Sequence, residues 1–312
     1  MQMTTSMSCA NRCSFCWRDE KAPVSKEWKW DADDSKFILK ESKAAHHKLP
    51  EGYNGYNDRN KGAYEKSKQI KHVALSLTGE PIIYPKINEL IDKFHEEGIS
   101  TFLVTNAQYP EQIKNLKPIT QLYLSLDAPV KNLLKKIDIP LFSDYWERLN
   151  KSLDYLSEKK QRTCIRLTMI RGLNMDNYED YAEMIKRGDP NFVEIKAYIF
   201  IGASRKRLEM INMPLHEDIV SFSKELVKFL PEYEIVSEHI PSRVVLLAKK
   251  KFKINNEWHT WIDFKKFNEL ALSGKNFGIE DYLKKTPKKF VGLSGKGTVD
   301  LAREKGITHD VQ

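Results

Sequence analysis

Three of the chain's four cysteines lie within eight residues of one another. Cys9, Cys13 and Cys16 follow the spacing C-x3-C-x2-C, whereas Cys164 lies far along the sequence. Thiolates are ligands for zinc and for iron–sulfur clusters. A structural zinc site takes four ligands, and no histidine follows these cysteines at zinc-finger spacing. Three thiolates suit a cubane iron–sulfur cluster that leaves one iron open to a substrate, and a zinc knuckle is the alternative.

The composition indicates where such a site would operate. The chain has 312 residues, a formal net charge of +8 and a pI of about 9.0. Its length suits one large α/β domain with additions or two domains, and its charge suggests an anionic partner such as nucleic acid. No apolar run is long enough to span a membrane, and the first residues do not resemble a signal peptide. We therefore expect a cytoplasmic protein without membrane contact, in which clustered cysteines bind metal rather than form disulfides.

The apolar pattern predicts strands that alternate with helices. Strand-like segments lie at residues 72–77, 100–106, 121–127, 164–170 and 192–200, and residues 1–7 can form a first strand. Apolar residues at helical spacing predict helices over residues 86–97 and 145–156. Strands separated by helices build parallel sheets. Six strands predict an α/β fold with a partial (β/α)6 barrel rather than a closed eightfold barrel.

Two regions fall outside this repeat. Residues 17–70 are long and polar for one crossover, and residues 52–60 within them are predicted to form a loop. A further strand is predicted at residues 244–248, and a lysine-rich segment with scattered aromatic residues follows it. We therefore predict a barrel core over residues 1–248, and a C-terminal extension over residues 249–312 that packs on the barrel or contacts the partner.

The cysteine spacing resembles that of the radical S-adenosylmethionine (SAM) enzymes. In that superfamily the three cysteines bind one [4Fe–4S] cluster, and the aromatic residue before the last cysteine, here Phe15, contacts the adenine of SAM. The resemblance implies that the cluster donates one electron to the sulfonium of SAM. The carbon–sulfur bond then breaks and gives a 5′-deoxyadenosyl radical. Two cofactors are therefore expected, the cluster and SAM.

Polar residues after three later strands agree with this resemblance. The segment SLTGEP resembles the superfamily's Gly-Gly-Glu motif, which holds the methionine amino group, with Thr78 in place of the first glycine. In a parallel barrel, binding groups lie at the carboxyl ends of the strands. Ordinary turn chemistry is the alternative for Asn106 and Asp127. The predicted SAM contacts are Phe15, Thr78, Gly79, Glu80, Thr105, Asn106, Ser125 and Asp127.

Longer segments narrow the resemblance to one family. MTTSMSCANRCSFCWRD, KHVALSLTGEPIIYP, FVEIKAYIFIGASRKRLEMINMP, WHTWIDFKKF and IEDYLKKTPKKFVGLSGKG are similar, in that order, to the tRNA 4-demethylwyosine synthases of wybutosine biosynthesis. The single-domain form resembles the archaeal members. The resemblance implies a carbon–carbon lyase that converts N1-methylguanosine-37 of tRNA(Phe), with pyruvate as a source of two carbons, into 4-demethylwyosine.

The implied reaction begins when the radical abstracts hydrogen from the N-methyl group of the base. The carbon radical attacks pyruvate, carboxylate is lost and an imidazoline ring closes. Two alternatives stay open. One is a radical SAM enzyme that acts on another substrate, and the other is a catalytically inactive tRNA-binding protein or fragment.

The resemblance also suggests substrate contacts. Arg205, Lys206 and Arg207 follow the last barrel strand and are predicted to bind tRNA phosphates. Lys196 is the candidate for holding the pyruvate carboxylate or the cofactor, and an ion pair with Glu194 is the alternative. The base must also leave the anticodon stack to reach the radical.

Several other residues have two interpretations or none. The lysines that could extend the basic patch or simply be solvated are Lys284, Lys285, Lys288 and Lys289. The aromatic residues that could stack bases or pack in the core are Trp258, Trp261 and Phe264. His216 and His239 have no assignable role, and Cys164 is predicted to be a small buried hydrophobic residue.

The sequence departs from the family in one respect. Family members carry, upstream of the cysteine motif, three more cysteines for a second cluster and a lysine linked to pyruvate activation, and this sequence contains neither. We expect that the sequence is incomplete, in which case a second cluster belongs to the longer protein. A divergent member with one cluster is the alternative. The sequence also lacks the flavodoxin-like reductase domain of eukaryotic relatives, so we expect an external one-electron reductant.

Overall fold

A computed structural model describes residues 1–304 as one eight-stranded sheet surrounded by helices. The strands of this sheet are β1 (Gln2–Met3), β2 (His72–Leu75), β3 (Ser100–Thr105), β4 (Gln121–Ser125), β5 (Thr163–Met169), β6 (Phe192–Ala197), β7 (Tyr233–His239) and β8 (Val244–Lys249). Their order in the sheet is β1-β2-β3-β4-β5-β6-β8-β7. The first six run parallel, β8 pairs antiparallel with β6, and β7 pairs antiparallel with β8. The predicted partial barrel of six parallel strands is confirmed.

Helices connect the parallel strands. Between β1 and β6 they are α1 (Ser35–Glu51), α2 (Lys61–Ser67), α3 (Ile87–Glu96), α4 (Pro110–Asn115), α5 (Lys131–Asp138), α6 (Tyr145–Ser157) and α7 (Tyr178–Gly188). Helix α8 (His216–Val227) lies between β6 and β7, and α9 (Phe264–Leu272) and α10 (Thr298–Glu304) lie in the C-terminal extension. Leu90, Ile91 and Phe94 lie on the buried face of α3, as their helical spacing predicts. Helices α3 and α6 begin and end within one residue of their predicted bounds.

The periphery contains elements that were not predicted. Residues 17–70, which are long and polar for one crossover, contain α1 and α2, and the loop predicted at residues 52–60 connects these helices. Asp34 and Asn60 explain where these helices begin, since their side chains accept hydrogen bonds from the backbone N–H groups of Lys36 and Ala63. Strand β7 was not predicted. A register shift between Ile235 and Ser237 interrupts its alternation, and this irregularity hides the strand in the sequence.

The C-terminal extension covers the amino ends of the central strands. It contains the short strands β9 (Lys253–Ile254), β10 (Glu257–Trp258), β11 (Trp261–Ile262) and β12 (Leu283–Lys284). The ring of Phe264 packs 4.3 Å from the ring of His72. Trp258 and Cys164 are buried in one apolar cluster, whereas Trp261 remains 41% exposed. Trp258 and Phe264 therefore have a packing role, and Cys164 is the buried hydrophobic residue that the sequence predicts.

Residues 305–312 of the predicted extension lie outside the described part of the chain. Between residues 1 and 304, no helix is both long enough and apolar enough to cross a membrane. The predicted site residues lie at the carboxyl ends of the parallel strands, opposite the ends that the extension covers.

Candidate active site

The cysteine motif forms a loop that rests on the carboxyl-terminal end of α5. The backbone N–H of Ser14 donates to Ile137 O at 2.7 Å, and that of Arg12 donates to Asp138 O at 3.0 Å. A turn closes the loop, because the N–H of Cys16 donates to Cys13 O at 3.0 Å. These backbone hydrogen bonds fix the orientation of the loop relative to the barrel.

The three cysteines face a cavity of about 390 Å³ at the carboxyl ends of the parallel strands, where barrel enzymes place their sites. All eight predicted SAM contacts line this cavity together with the cysteines. The lining residues from the prediction are Cys9, Cys13, Phe15, Cys16, Thr78, Gly79, Glu80, Thr105, Asn106, Ser125 and Asp127. The fold thus brings four separate segments of the chain to one place. The individual roles of these residues stay predictions.

Gly79 allows the second motif to approach the segment that leads to the cysteines. Its φ is +67°, a left-handed conformation that favours glycine, and a Cβ there would lie 1.8 Å from Ser6 O. The next residue, Glu80, donates its backbone N–H to Ser8 O at 2.8 Å. Thr78 is not in the left-handed region, so the departure from Gly-Gly-Glu causes no backbone strain at that position.

Glu80 is a buried carboxylate with one oxygen free. The backbone N–H of Asn106 donates to Glu80 Oε2 at 2.8 Å, and Oε1 has no hydrogen-bond partner within the described chain. Burial raises the pKa of Glu80 to about 7, although the hydrogen bond from Asn106 acts in the opposite direction. A cation bound at Oε1 would offset the cost of burying this carboxylate.

Asn106 connects Glu80 with the first cysteine. Its Nδ2 lies 3.4 Å from Cys9 Sγ, and the backbone N–H of Asn11 lies 3.5 Å from the same sulfur. Burial raises the pKa of Cys9 to about 12, and it raises the pKa of Cys13 well above the usual range. Both thiols therefore need a cationic centre to become thiolates at neutral pH, which iron supplies.

A pair of buried acids lies beside the cysteine loop. Asp127 is the predicted site residue, and Asp138, at the end of α5, was missed by the sequence analysis. Asn11 Nδ2 donates to Asp138 Oδ2 at 3.2 Å. Burial raises the pKa of both carboxyl groups, and the charge of Asp127 adds to the effect on Asp138. Asp138 belongs to no motif, so only its position against Cys13 identifies it.

Arg166, on β5, is a second site residue for which the sequence predicted no role. It lines the cavity, and its Nε lies 2.8 Å from Glu194 Oε1, while its guanidinium lies 4.5 Å from the centre of the Tyr123 ring. Glu194 is therefore paired with Arg166, and Lys196 forms no ion pair within residues 1–304. Burial and the charge of Arg166 lower the pKa of Lys196. The alternative prediction, an ion pair between Lys196 and Glu194, is not observed.

The three predicted tRNA contacts lie outside the cavity lining and have different surroundings. Arg205 and Lys206 are exposed, and Lys206 Nζ lies 3.5 Å from Asp19 Oδ2. Arg207 is half-buried, and its Nε donates to Ser14 O at 3.0 Å. It therefore faces the cysteine loop.

The two histidines without a predicted role make local contacts. His216 is buried, and its Nε2 lies 2.8 Å from Glu238 Oε2. His239 Nδ1 lies 2.8 Å from Ser242 Oγ. Neither ring lines the cavity that contains the cysteines.

The donor set of the cavity fits an iron–sulfur cluster and SAM. Cys9, Cys13 and Cys16 line the cavity, and N–H groups donate to Cys9 Sγ. Thr78 Oγ1, Glu80 Oε1 and Asp127 Oδ1 are buried and have no partner among the described residues, so they are available to a polar ligand. Among residues 1–304, no three His, Cys, Asp or Glu side chains converge to hold a single metal ion, so the three cysteines fit a cluster, in which each thiolate binds a different iron.

Comparison with known proteins agrees with this geometry. Residues 3–185 match the radical SAM superfamily, and residues 187–249 match the family described as wyosine base formation. A solved structure of TYW1 with a lysine–pyruvate adduct bound is 36% identical, with a TM-score of 0.72, and the alignment covers 82% of this chain and 81% of that one. The chain belongs to the tRNA 4-demethylwyosine synthase family of radical SAM proteins.

Two further relatives show how much of this family the chain represents. A structure of archaeal TYW1 is 33% identical, with a TM-score of 0.65, over 82% of this chain and 80% of that one. The tRNA 4-demethylwyosine synthase TYW1 of Mus musculus is 46% identical over 92% of this chain but only 41% of its own length. The chain thus spans about two-fifths of the length of the curated relatives it matches.

Proposed function

We propose that this chain carries the radical SAM chemistry of a tRNA 4-demethylwyosine synthase. The observation that supports this most strongly is the convergence of three cysteines and eight predicted SAM contacts on one cavity. The reaction we propose joins N1-methylguanosine-37 of tRNA(Phe) to two carbons of pyruvate and releases the carboxylate, which makes it a carbon–carbon lyase reaction. The similarity to tRNA 4-demethylwyosine synthases supports both substrates. We propose the cytoplasm as its location.

The residues present would hold one [4Fe–4S] cluster and one molecule of SAM. Cys9, Cys13 and Cys16 would hold the cluster, and the fourth cysteine, Cys164, is buried away from the site. When bound, these cofactors supply the one-electron cleavage of SAM that gives a 5′-deoxyadenosyl radical. A second cluster would need cysteines from outside this sequence.

Glu80 and its neighbours would orient SAM. The free Oε1 of Glu80 is a partner for the methionine ammonium, and the burial of Glu80 would strengthen that ion pair. Ser125 and Asp127 can accept hydrogen bonds from ribose hydroxyls, since Asp127 Oδ1 has no partner among the described residues. Phe15 offers a flat apolar face for the adenine.

Lys196 would hold the carboxylate of pyruvate. Because Arg166 neutralises Glu194, the ammonium of Lys196 is available to an anion. A TYW1 structure holds a lysine–pyruvate adduct, and this supports pyruvate as the co-substrate here. The role proposed for Lys196 is electrostatic, and it requires no covalent bond to pyruvate.

The tRNA would bind across the surface beside the cavity. Arg205 and Lys206 are exposed cations that can contact phosphates, so binding should weaken as salt rises. The target base would leave the anticodon stack and enter the cavity, as other base-modifying enzymes require. An external protein or chemical donor would supply one electron for each turnover.

One experiment tests the proposal. Reconstituted protein is incubated anaerobically with dithionite, SAM, pyruvate and tRNA that contains N1-methylguanosine, and the digested nucleosides are weighed by mass spectrometry. We expect 5′-deoxyadenosine, and 4-demethylwyosine as well if the cluster at Cys9, Cys13 and Cys16 suffices for the reaction. 5′-Deoxyadenosine without the tricyclic base would show that this chain cleaves SAM but does not by itself complete the reaction with pyruvate. The absence of both products from iron-loaded protein would overturn the enzymatic assignment.

A further inference from the structure

The cysteine loop is held from two sides. One support is the end of α5. The other is the segment of residues 202–207, which follows β6. The backbone N–H of Ala203 donates to Trp17 O at 2.9 Å. Arg207 donates from Nε to Ser14 O at 3.0 Å and from Nη2 to Cys16 O.

This segment is itself firmly attached to the barrel. Ser204 is fully buried, its Oγ lies 2.9 Å from the hydroxyl of Tyr198, and it donates to Ile201 O at 2.5 Å. Gly202 has a φ of +56°, and a Cβ there would lie 2.4 Å from Trp17 O. The segment therefore contacts the end of β6 through one face and the cysteine loop through the other.

We infer that Arg207 is a positioning residue for the iron–sulfur cluster, by holding the carbonyl groups of Ser14 and Cys16. The planar guanidinium suits this task, because its several N–H donors diverge in a fixed plane and can reach two acceptors at once. Holding both carbonyls fixes the turn from Cys13 to Cys16, and thus the direction of two of the three sulfurs. The inference rests on the cluster proposed above for Cys9, Cys13 and Cys16.

Arg207 also places a positive charge beside the loop. A cluster gains one negative charge when it is reduced, and a nearby cation stabilises the reduced form. Arg207 should therefore raise the reduction potential as well as hold the loop. This role differs from the predicted contact with tRNA phosphates, because Nε and Nη2 of the guanidinium already donate to the two carbonyls of the loop.

Arg207 lies in the part of the chain that is specific to the wyosine family. The residue lies in the part that matches wyosine base formation, residues 187–249, whereas the cysteines lie in the part that matches the radical SAM superfamily. Arg207 and Ser14 are 193 positions apart. The wyosine-specific part of the chain thus contacts and supports the cysteine loop, which belongs to the part shared by radical SAM enzymes.

The test compares Arg207→Met with Arg187→Met. Arg187 is the matched control, because it also uses its guanidinium in hydrogen bonds, to Asp154 at 2.6 Å, but far from the loop. Anaerobically reconstituted proteins are compared for iron per chain, for the electron paramagnetic resonance (EPR) spectrum of the reduced cluster, and for the midpoint potential. We expect Arg207→Met to lose at least half of its iron, to change the spectrum and to shift the potential to a more negative value. Arg187→Met should match the wild type.

Two further variants keep the test decisive. Arg207→Lys retains the charge but cannot span both carbonyls, so it should restore the potential more fully than the iron content. Gly202→Ala disturbs the neighbouring contact of the same segment with Trp17 O, without changing charge, and it should lower the iron content as well. Circular dichroism identifies any variant that does not fold. If Arg207→Met does not fold, Arg207→Lys and Gly202→Ala are compared with the wild type in its place.

The outcomes separate this inference from the proposed function. Wild-type iron content, spectrum and potential in both Arg207→Met and Gly202→Ala, with weaker tRNA binding in the former, would overturn the positioning role and leave Arg207 as a phosphate contact. If the wild-type protein takes up no iron, the cluster assignment fails and the inference falls with it.

Discussion

The carboxyl and amino ends of the parallel strands, here called the carboxyl and amino edges of the sheet, differ in the hydrogen bonding of their buried polar groups. At the carboxyl edge, Glu80, Asp127 and Asp138 each keep a buried oxygen without a partner in the described chain. At the amino edge, Arg162 donates from Nε to Gln121 Oε1 at 2.5 Å and from Nη2 to Thr260 O at 2.7 Å. Only its Nη1 lacks a partner among the described residues.

This difference separates binding from folding. Unpaired buried carboxylates destabilise the folded chain, but they are ready to receive a cationic or hydroxyl-rich ligand. The satisfied groups at the amino edge attach the C-terminal extension to the barrel, since Arg162 joins β5 to the residue before β11. The unpaired groups at the carboxyl edge therefore lower the stability of the fold and favour ligand binding, whereas the hydrogen-bonded groups at the amino edge stabilise the fold.

The largest effect should come from the cysteines. The double variant Cys13→Ala, Cys16→Ala removes two of three cluster ligands and should abolish iron uptake and 5′-deoxyadenosine formation. Cys164→Ala is the matched control, because it removes a thiol from the apolar cluster and leaves the site intact. Iron analysis and chromatography of the nucleoside products measure both. Loss of iron in Cys164→Ala with iron retained in the double variant would contradict the account.

Arg162 tests the amino edge. Arg162→Met leaves Gln121 and Thr260 without their charged donor, and it should lower the free energy of unfolding by about 4 kcal/mol. The affinity of the folded fraction for SAM should not change, because Arg162 does not line the cofactor cavity. Urea unfolding and isothermal titration measure the two quantities. An equal loss in both would show that the edges are not independent.

Glu80 gives the carboxyl edge a pH dependence. Its pKa is about 7 in the folded chain against an ordinary value of 4.5, so the folded state binds more protons between these pH values. The free energy of unfolding then falls as pH rises through this window. Cluster-free Glu80→Gln should exceed cluster-free wild type in stability by about 3 kcal/mol at pH 8, and should match it near pH 4. A difference that does not vary with pH in urea titrations would contradict this explanation.

The same substitution should weaken SAM binding. Glu80→Gln removes the negative charge offered to the ammonium, at a cost of about 2 kcal/mol, or roughly a 30-fold increase in Kd. The variant would thus be more stable and bind less tightly. Glu111→Gln, at an exposed carboxylate that pairs with Lys151, is the control and should leave the Kd unchanged. Equal Kd values for wild type and Glu80→Gln would remove Glu80 from the site.

Lys196 should have the smallest of these effects. Lys196→Met should raise the KM for pyruvate by about tenfold, because the ion pair between the Lys196 ammonium and the pyruvate carboxylate is lost. Lys196→Arg keeps the charge and should restore most of the affinity. 5′-Deoxyadenosine formation without pyruvate should stay at the wild-type rate in both. A fall in that rate would assign Lys196 to the cofactor instead.

The parts of the site that the sequence predicts are those built from short motifs at strand ends. Each of these motifs is a short stretch of sequence at or near the end of a strand that the apolar pattern predicts, as in Cys9 to Cys16, Thr78 to Glu80, and Asn106. Parallel strands bring their carboxyl ends together, and with them the motifs. The fold of the core was predictable for the same reason, since helical and strand periodicities are regular in α3 and β3.

The remaining features depend on contacts between distant residues. Asp138 reaches Cys13 only because the loop rests on the end of α5. The choice of Arg166 rather than Lys196 as the partner of Glu194 depends on side-chain directions across two strands. Arg207 was predicted to contact tRNA because its neighbours are basic, and nothing local shows that it alone turns toward Ser14 and Cys16.

The most direct test of the central claim is the EPR spectrum of the reduced protein with and without SAM. The three cysteines, Glu80 and the other predicted SAM contacts line one cavity, so SAM would bind beside the cluster. We predict that saturating SAM changes the spectrum of the wild type, and that Glu80→Gln needs a higher SAM concentration for the same change. Identical spectra with and without SAM, in protein that holds about four irons per chain, would contradict the account.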